Sequence, residues 1–479
     1  MKKKFYVTTP IYYVNNKPHI GHAYTTIAAD VLARFYRQKE FDTFFLTGTD
    51  EHGANIEAIA KTAGQEPQAF VDGIAESFKQ AWKLLDIKPD RFIRTTESRH
   101  MAAVQTALKK IYEQGDIYLG EYSGLYCPKC EQFKNAKDLV DGLCPDHKIA
   151  PQQMDEASYM FKLSKYSDIL LKKIESGELE IFPLERKNEV VSFYRQDGLQ
   201  DVSFSRKNVS WGIPLPWDKT HTTYVWADAF LNYLTGLDWA GDNTVPDFWP
   251  ADVHLMSKDI LRVHATIWPA MLLSLGLPLP KKLFIHGYFL VDGQKMSKSI
   301  GNVIAPAELV ARYGADATRY LLLSATPFGN DGDISLEGFD EKYNADLANN
   351  LGNLVSRVTN MLEQYCGGKI PDREATTIPP NLEQQVSQAM SELKFESALR
   401  LIRDSWSVLN LYIDEHKPWD MAKDPARQGE LEISLSLLAN SMLVSAGLLE
   451  PFLPGTAEKI IGTFAAEKII KGEALFRRI

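Results

Sequence analysis

A buried strand that passes through a turn into an amphipathic helix, with a second buried strand close behind, leaves a chain few folds to adopt. This chain of 479 residues opens that way. Phe5 to Ile11 reads as a buried strand, Asn15-Asn16-Lys17-Pro18 as a turn, and the next segment as a helix with Ile20, Ala23, Ile27, Val31 and Phe35 on one face. Thr43 to Thr47 reads as a second strand and runs into the polar stretch Gly48-Thr49-Asp50-Glu51-His52-Gly53. Strand and helix in alternation predict a parallel sheet with helices on its faces. Ligands in such sheets sit beyond the carboxyl ends of the strands, so both turns are candidate site loops.

The rhythm breaks between about Gly115 and His221, where short irregular pieces hold a cluster of cysteines, as expected of a domain inserted into the sheet. Val253 to Met256 and Leu283 to His286 read as further strands, and Asp292-Gly293 as a tight turn before Lys295. After about Glu341 the pattern turns helical. Leu347, Leu351, Leu354, Val358 and Met361 form one apolar stripe, Phe395, Leu399, Ile402 and Trp406 a second, and Leu431, Leu435, Leu438, Met442 and Leu449 a third, which predicts a helical bundle. The expected organisation is α/β: a split Rossmann-type domain over 1–115 and 221–290, an inserted domain over 116–220, a connecting segment over 291–340 and an all-α domain over 341–479.

Apolar residues at 45% and charged residues at 24% exclude a disordered or fibrous chain. The start MKKKFYVTTP has a basic front, but Pro10 and Asn15-Asn16 cut its apolar stretch short of a secretory signal. No apolar run approaches the roughly 20 residues that span a bilayer, so a cytoplasmic protein without membrane association is expected. The net charge of −9 argues against general adhesion to nucleic acid and leaves room for a local basic groove.

His19-Ile20-Gly21-His22 opens the first helix. Its two imidazoles share one face, Gly21 lets a ligand approach the backbone, and a helix N-terminus attracts phosphate. Alone, such a pair is a weak signal. Lys295-Met296-Ser297-Lys298-Ser299 lies in a polar loop ending at Gly301, and its two ammonium groups suit a polyphosphate leaving group. Elsewhere, Cys127-Pro128-Lys129-Cys130 and, thirteen residues on, Cys144-Pro145-Asp146-His147 give CxxC and CxxH half-sites. Thiolate and imidazole ligands at that spacing predict one tetrahedral structural zinc, with His147 the weakest member of the set. The fourth cysteine, Cys366, stands alone.

The histidine pair on the first turn and the KMSKS loop after the last strand, in that order, resemble the two signatures of class I aminoacyl-tRNA synthetases. The segments TTPIYYVNNKPHIGH, LTGTDEHG, YVWADAFLNYL, SKDILRVHATIWPA and HGYFLVDGQKMSKS together resemble the methionyl-tRNA synthetase family. That resemblance covers nearly the whole chain and implies the following assignments. His19, Gly21 and His22 meet the ATP phosphates, while Lys295, Ser297 and Lys298 hold the loop side of the same nucleotide. His19, His22, Lys295 and Lys298 act in catalysis, with Mg2+ accompanying ATP. Asp50 takes the ammonium group of methionine. Ile11, Tyr13, Trp226, Ala229, Tyr233, Ile260 and His264 line the side-chain pocket, with Trp268 packed behind. Asn353, Arg357 and Trp419 face the anticodon of initiator and elongator methionine tRNA. An insert of about 100 residues leaves little space for the large editing domain of the branched-chain relatives. Cysteine-specific enzymes share the small insert, and there the pocket segments decide for methionine. A synthetase-like RNA-binding protein without catalysis would show damaged signatures, and both are intact. A monomer is expected because the chain stops soon after its helices.

Overall fold

The computed structural model describes residues 2–127, 132–134, 139–145, 148–207, 209–291, 293–296, 301–372 and 381–479. It divides into two compact units. Met1–Pro18, Glu40–Trp82 and Lys88–His286 form one, and His19–Lys39, Lys83–Ile87 and Gly287–Ile479 form the other.

Numbered along the chain, the strands of the first unit are β1 (Lys4–Tyr13), β2 (Asp42–Asp50), β3 (Arg91–Arg94), β4 (Ile117–Cys127), β5 (Gln132–Lys134), β6 (Gln152–Phe161), β7 (Glu180–Phe182), β8 (Val202–Ser203), β9 (Ser205–Arg206), β10 (Thr222–Thr223), β11 (Val253–Ser257) and β12 (Lys282–His286). Six of them form a parallel sheet in the order β3-β2-β1-β11-β12-β7. Consecutive residues such as Tyr6 and Val7 on β1, Phe45 and Leu46 on β2, and Leu255 and Met256 on β11 are all buried, as a sheet covered on both faces requires. Strand order reverses between β1 and β11, which places the switch point of this sheet at the end of β1. The register of β1 against β2 shifts between Thr8 and Ile11. Pro10 cannot donate to the ladder there, and the irregularity re-aims the residues that follow it.

Two departures from the expected domain plan have physical causes. β7 lies inside the stretch 116–220 assigned to an insert, yet it pairs with β12 as the edge of the main sheet, Ile181 opposite Leu283. It has three residues, of which only Ile181 is buried, so it carries no periodic signal. The antiparallel sheet β5-β4-β6-β8 is the inserted element itself. The second departure is that helix Ile20–Gln38, inside the expected 1–115 segment, belongs to the other unit. There its Asp30 meets Arg319 Nη2 at 2.7 Å, both side chains fully buried. Arg319 also donates to the carbonyls of Phe452 (2.7 Å), Leu85 (3.2 Å) and Pro451 (3.0 Å).

The rest of the second unit comprises a small sheet, β14-β13-β15, of β13 (Phe289–Val291), β14 (Gln294–Lys295) and β15 (Gly332–Ile334), followed by helices. All three predicted stripes are buried. The first winds as a π-helix over Tyr343–Gly352 before continuing as the α-helix Asn353–Cys366. One expectation fails: the segment Pro425–Leu449 holds an 18-residue window with a mean hydropathy of 1.5, long and apolar enough to cross a membrane. Its buried serines, among them Ser434, Ser441 and Ser445, break up the apolar run in the sequence, and Ser445 accepts from Trp406 Nε1 at 2.6 Å. With 56% of that window buried, it is a core helix of the bundle.

Candidate active site

In the second unit, His19 is the N-cap of helix Ile20–Gln38. Its Nδ1 accepts from the Gly21 N–H at 3.0 Å, and His22 Nδ1 accepts from the His19 N–H at 3.2 Å. Both rings therefore carry their proton on Nε2. They stack at 3.8 Å between centroids, and His22 is held well below the ordinary imidazole range by burial and by the neighbouring His19. A neutral pair presenting Nε2–H donors suits phosphate oxygens. A Cβ at Gly21 would lie 2.8 Å from His19 Cε1 and 3.8 Å from Met296 Cε. Met296 of the KMSKS loop thus stands beside the turn of the histidine motif, although the sequence separates them by more than half the chain. Lys295 pairs through its backbone with Leu290. Its side chain, like Ser297 and Lys298 altogether, lies outside the described residues.

In the first unit, Ile11, Tyr13 and Asp50 lie at the carboxyl ends of β1 and β2, and Ile260 and His264 follow that of β11. Tyr13 pairs opposite Asp50, the last residue of β2. Ile260 closes the turn after β11, and His264 lies one helical turn further on. Trp226 and Ala229 sit on the short helix Val225–Ala229, and Tyr233 on the next, Asn232–Thr235. Ile11, Tyr13, Trp226 and Ile260 are half-buried, whereas Ala229, Tyr233 and His264 are buried. Phe230, which the sequence reading did not select, joins them: its ring stacks on Trp226 at 5.4 Å and on Trp268 at 5.9 Å, and meets His264 edge-on at 4.9 Å.

The hydrogen bonds fix the tautomer of His264. The Ile260 carbonyl can only accept, so His264 Nδ1 donates to it at 2.8 Å, and Nε2 accepts from the Tyr233 hydroxyl at 2.8 Å. Burial pushes this imidazole down to about 4, so it is neutral at pH 7. Trp268 is fully buried and donates to His254 Nε2 at 3.3 Å, which makes it a wall behind the other rings. The loop after Asp50 is held on several sides. Glu51, fully buried, takes Arg94 at 2.6 and 2.9 Å. Its N–H donates to Thr95 Oγ1 at 3.0 Å, its carbonyl accepts from Trp211 Nε1 at 2.6 Å, and the Gly53 N–H donates to the Trp211 carbonyl at 3.0 Å.

Residues 5–157 and 147–359 match the family model described as tRNA synthetases class I (M), and residues 366–472 match the anticodon binding domain of methionyl tRNA ligase. The methionine–tRNA ligase of Caldanaerobacter subterraneus subsp. tengcongensis is 49% identical over 470 residues, 96% of this chain and 74% of its own. That of Clostridium acetobutylicum is 46% identical over 505 residues, 100% of this chain and 78% of its own. The chain belongs to the methionyl-tRNA synthetase family. Among solved structures, a Mycobacterium tuberculosis methionyl-tRNA synthetase in complex with methionyl-adenylate superposes with a TM-score of 0.92 at 36% identity, covering 99% of this chain and 100% of that one. The apo form gives 0.85 at 33% identity, covering 100% and 99%.

Within this methionyl-tRNA synthetase fold, the two segments proposed to face the anticodon are neighbours. Arg357 on helix Asn353–Cys366 meets Asp414 at 2.5 Å and Asn410 at 3.3 Å on helix Phe395–His416. Asn353 is exposed, and Trp419, half-buried, sits on the short helix Pro418–Met421 that follows. Of the four candidate zinc ligands, Cys130 and His147 lie outside the described residues. Cys127 ends β4, the Cys144 carbonyl accepts from the Lys148 N–H at 2.7 Å, and both thiols are buried. Each half-site thus opens on a buried thiol, a soft donor of the kind zinc takes.

Proposed function

We propose that the protein activates methionine with ATP and transfers it to the 3′ end of methionine tRNA. Membership of the family along the full chain supports the reaction, and the observation that carries the choice of amino acid is the closed pairing of Tyr233 with His264. Both ring nitrogens of His264 are spent within the protein, so this histidine offers a substrate its ring and no hydrogen bond, beside the aromatic faces of Trp226 and Phe230. A polarizable thioether gains from such faces.

In this reading Asp50 binds the ammonium group, which leaves the methionine carboxylate as the nucleophile. One carboxylate oxygen attacks the α-phosphorus of ATP, the bond from that phosphorus to the bridging oxygen breaks, and pyrophosphate leaves. His19 and His22 donate Nε2–H to phosphate oxygens, and Lys295, Ser297 and Lys298 take up the charge that develops on the leaving group. ATP arrives with magnesium, which offsets phosphate charge. A ribose hydroxyl of the terminal adenosine then attacks the acyl carbon, and AMP departs. Asn353, Arg357 and Trp419 recognise the anticodon: an exposed amide and a half-buried guanidinium beside a ring suit unpaired bases. Cys127, Cys130, Cys144 and His147 would hold zinc, which would brace the insert. A monomeric, cytoplasmic enzyme belongs to the same proposal, and sedimentation tests its assembly.

Exchange of labelled pyrophosphate into ATP, run with each of the twenty amino acids, tests the assignment. Methionine alone should support exchange, and Asp50→Ala should abolish it. Exchange with another amino acid would discard the pocket, and no exchange with any of them would discard the activity.

A further inference from the structure

Four buried side chains with no part in that scheme form one hydrogen-bonded chain in the first unit. His52 Nδ1 donates to Asp228 Oδ2 at 2.6 Å, His100 Nε2 donates to Asp228 Oδ1 at 2.8 Å, and His100 Nδ1 meets Thr235 Oγ1 at 2.7 Å. Asp228 is fully buried, with His100 1%, His52 4% and Thr235 5% exposed. An ionised carboxylate only accepts, so each imidazole must turn an N–H towards it. Burial pushes the Asp228 carboxyl up, but the two histidines outweigh it and bring it down to about 2.

The positions of these residues in the sequence say what the chain ties together. His52 follows Asp50 by two residues, Asp228 lies between Trp226 and Ala229, and Thr235 follows Tyr233 by two residues. Three separate segments that carry methionine contacts are thus joined through a single carboxylate, with His100 on helix Ser98–Glu113 as the bridge. Apolar packing could fill the same volume, but it would not set the angle at which the segments meet. Two directional bonds to one charged group do.

We propose that Asp228, with His52 and His100, is a positioning residue for methionine binding, fixing the spacing between the ammonium site at Asp50 and the side-chain wall at Trp226, Ala229 and Tyr233. This rests on the assignment of those four residues to methionine. Asp228→Asn keeps the volume. Its amide oxygen still accepts from His52, and its amide N–H can donate to His100 Nε2 once His100 shifts its proton to Nδ1 and donates to Thr235. The fold survives while the charge and the original geometry are lost.

The test is pyrophosphate exchange with methionine and ATP varied separately, beside thermal melts of the same preparations. Asp228→Asn should raise the methionine KM about tenfold, the lower end of what supporting-residue changes cost, with the ATP KM within about twofold and the melting temperature close to that of the parent. His52→Asn, whose amide N–H can stand in for Nδ1–H, should keep the methionine KM within about twofold, whereas His52→Leu should raise it as Asp228→Asn does. Equal behaviour of the Asn and Leu variants, or a lower melting temperature at unchanged methionine KM, would overturn the proposal and leave Asp228 a packing residue. Asp50→Ala separates the two levels. If it leaves methionine binding unchanged, the underlying pocket assignment fails; if it destroys binding while Asp228→Asn does not, the positioning role alone fails.

Discussion

Asp30→Asn should unfold the second unit at a markedly lower temperature, for a reason that a double-mutant cycle can isolate. Asp30 is the carboxylate paired with Arg319, whose guanidinium is fully buried and otherwise bonded to three main-chain carbonyls. Carbonyls satisfy its donors but do not balance its charge. Removing one partner of a buried pair costs about 3–5 kcal/mol. At roughly 2–4 °C per kcal/mol for a unit of about 200 residues, the transition should fall by about 10 °C. Arg319→Met has a different effect: Asp30 keeps Arg34 Nε at 2.7 Å, so no charge is stranded, and the loss comes from the three carbonyls at about 1 kcal/mol each. In the Arg319→Met background Asp30→Asn should therefore add about 1 kcal/mol or less, a coupling of about 3 kcal/mol. Scanning calorimetry of the four proteins measures it. Additive losses, with Asp30→Asn costing as much without Arg319 as with it, would refute the stranded-charge reasoning.

Three further outcomes follow from the site. His264 titrates at about 4 in the fold and near 6.5 when unfolded, so its contribution is fully present above pH 6.5 and is lost as the pH falls towards 4. That amounts to about 3 kcal/mol, and urea midpoints at pH 7.5 and 5 should differ more for the parent than for His264→Gln; equal differences would refute it. Tyr233→Phe leaves the buried Nε2 of His264 without its donor, and should cost about 1–3 kcal/mol and raise the methionine KM, read from melts and exchange kinetics. Gly21→Ala puts a methyl 2.8 Å from His19 Cε1 and must displace that ring. Exchange should fall at least about tenfold with the melting temperature unchanged, and full activity would mean that the His19–His22 stack is dispensable.

The parts of this molecule that were legible in the sequence are those with dense local signal. β1, helix Ile20–Gln38, β2, β11 and β12 each carry a run of apolar residues or a clear face, and their positions match the reading to within a few residues. The stripes of the bundle were equally plain, since Leu347 to Met361 keep their burial even where the helix widens into π turns. β7 was not legible: its partner lies about 100 residues away and three residues show no period. Phe230 and Asp228 were missed because a ring or a carboxylate in a short helix looks the same in sequence whether it faces solvent or a site. Glu51 and His52 were read as part of a polar loop. Only the long-range partners Arg94 and Asp228 reveal them as buried. Met296 beside Gly21 was likewise beyond reach, because loop closure over that distance leaves no local trace.

The grouping of helix Ile20–Gln38 with the C-terminal unit has a consequence during synthesis. Arg319, the second guanidinium on Asp30 after Arg34, is encoded about 280 residues after the helix ends. At a ribosomal rate of about 5–20 residues per second, the nascent helix waits roughly 15 to 60 seconds before Arg319 leaves the exit tunnel. Throughout that interval Asp30 has only Arg34, four residues on in the same helix, as its cationic partner, and the apolar face of the helix has yet to meet the C-terminal helices. A pause in translation before residue 319 should lengthen the time that face spends uncovered.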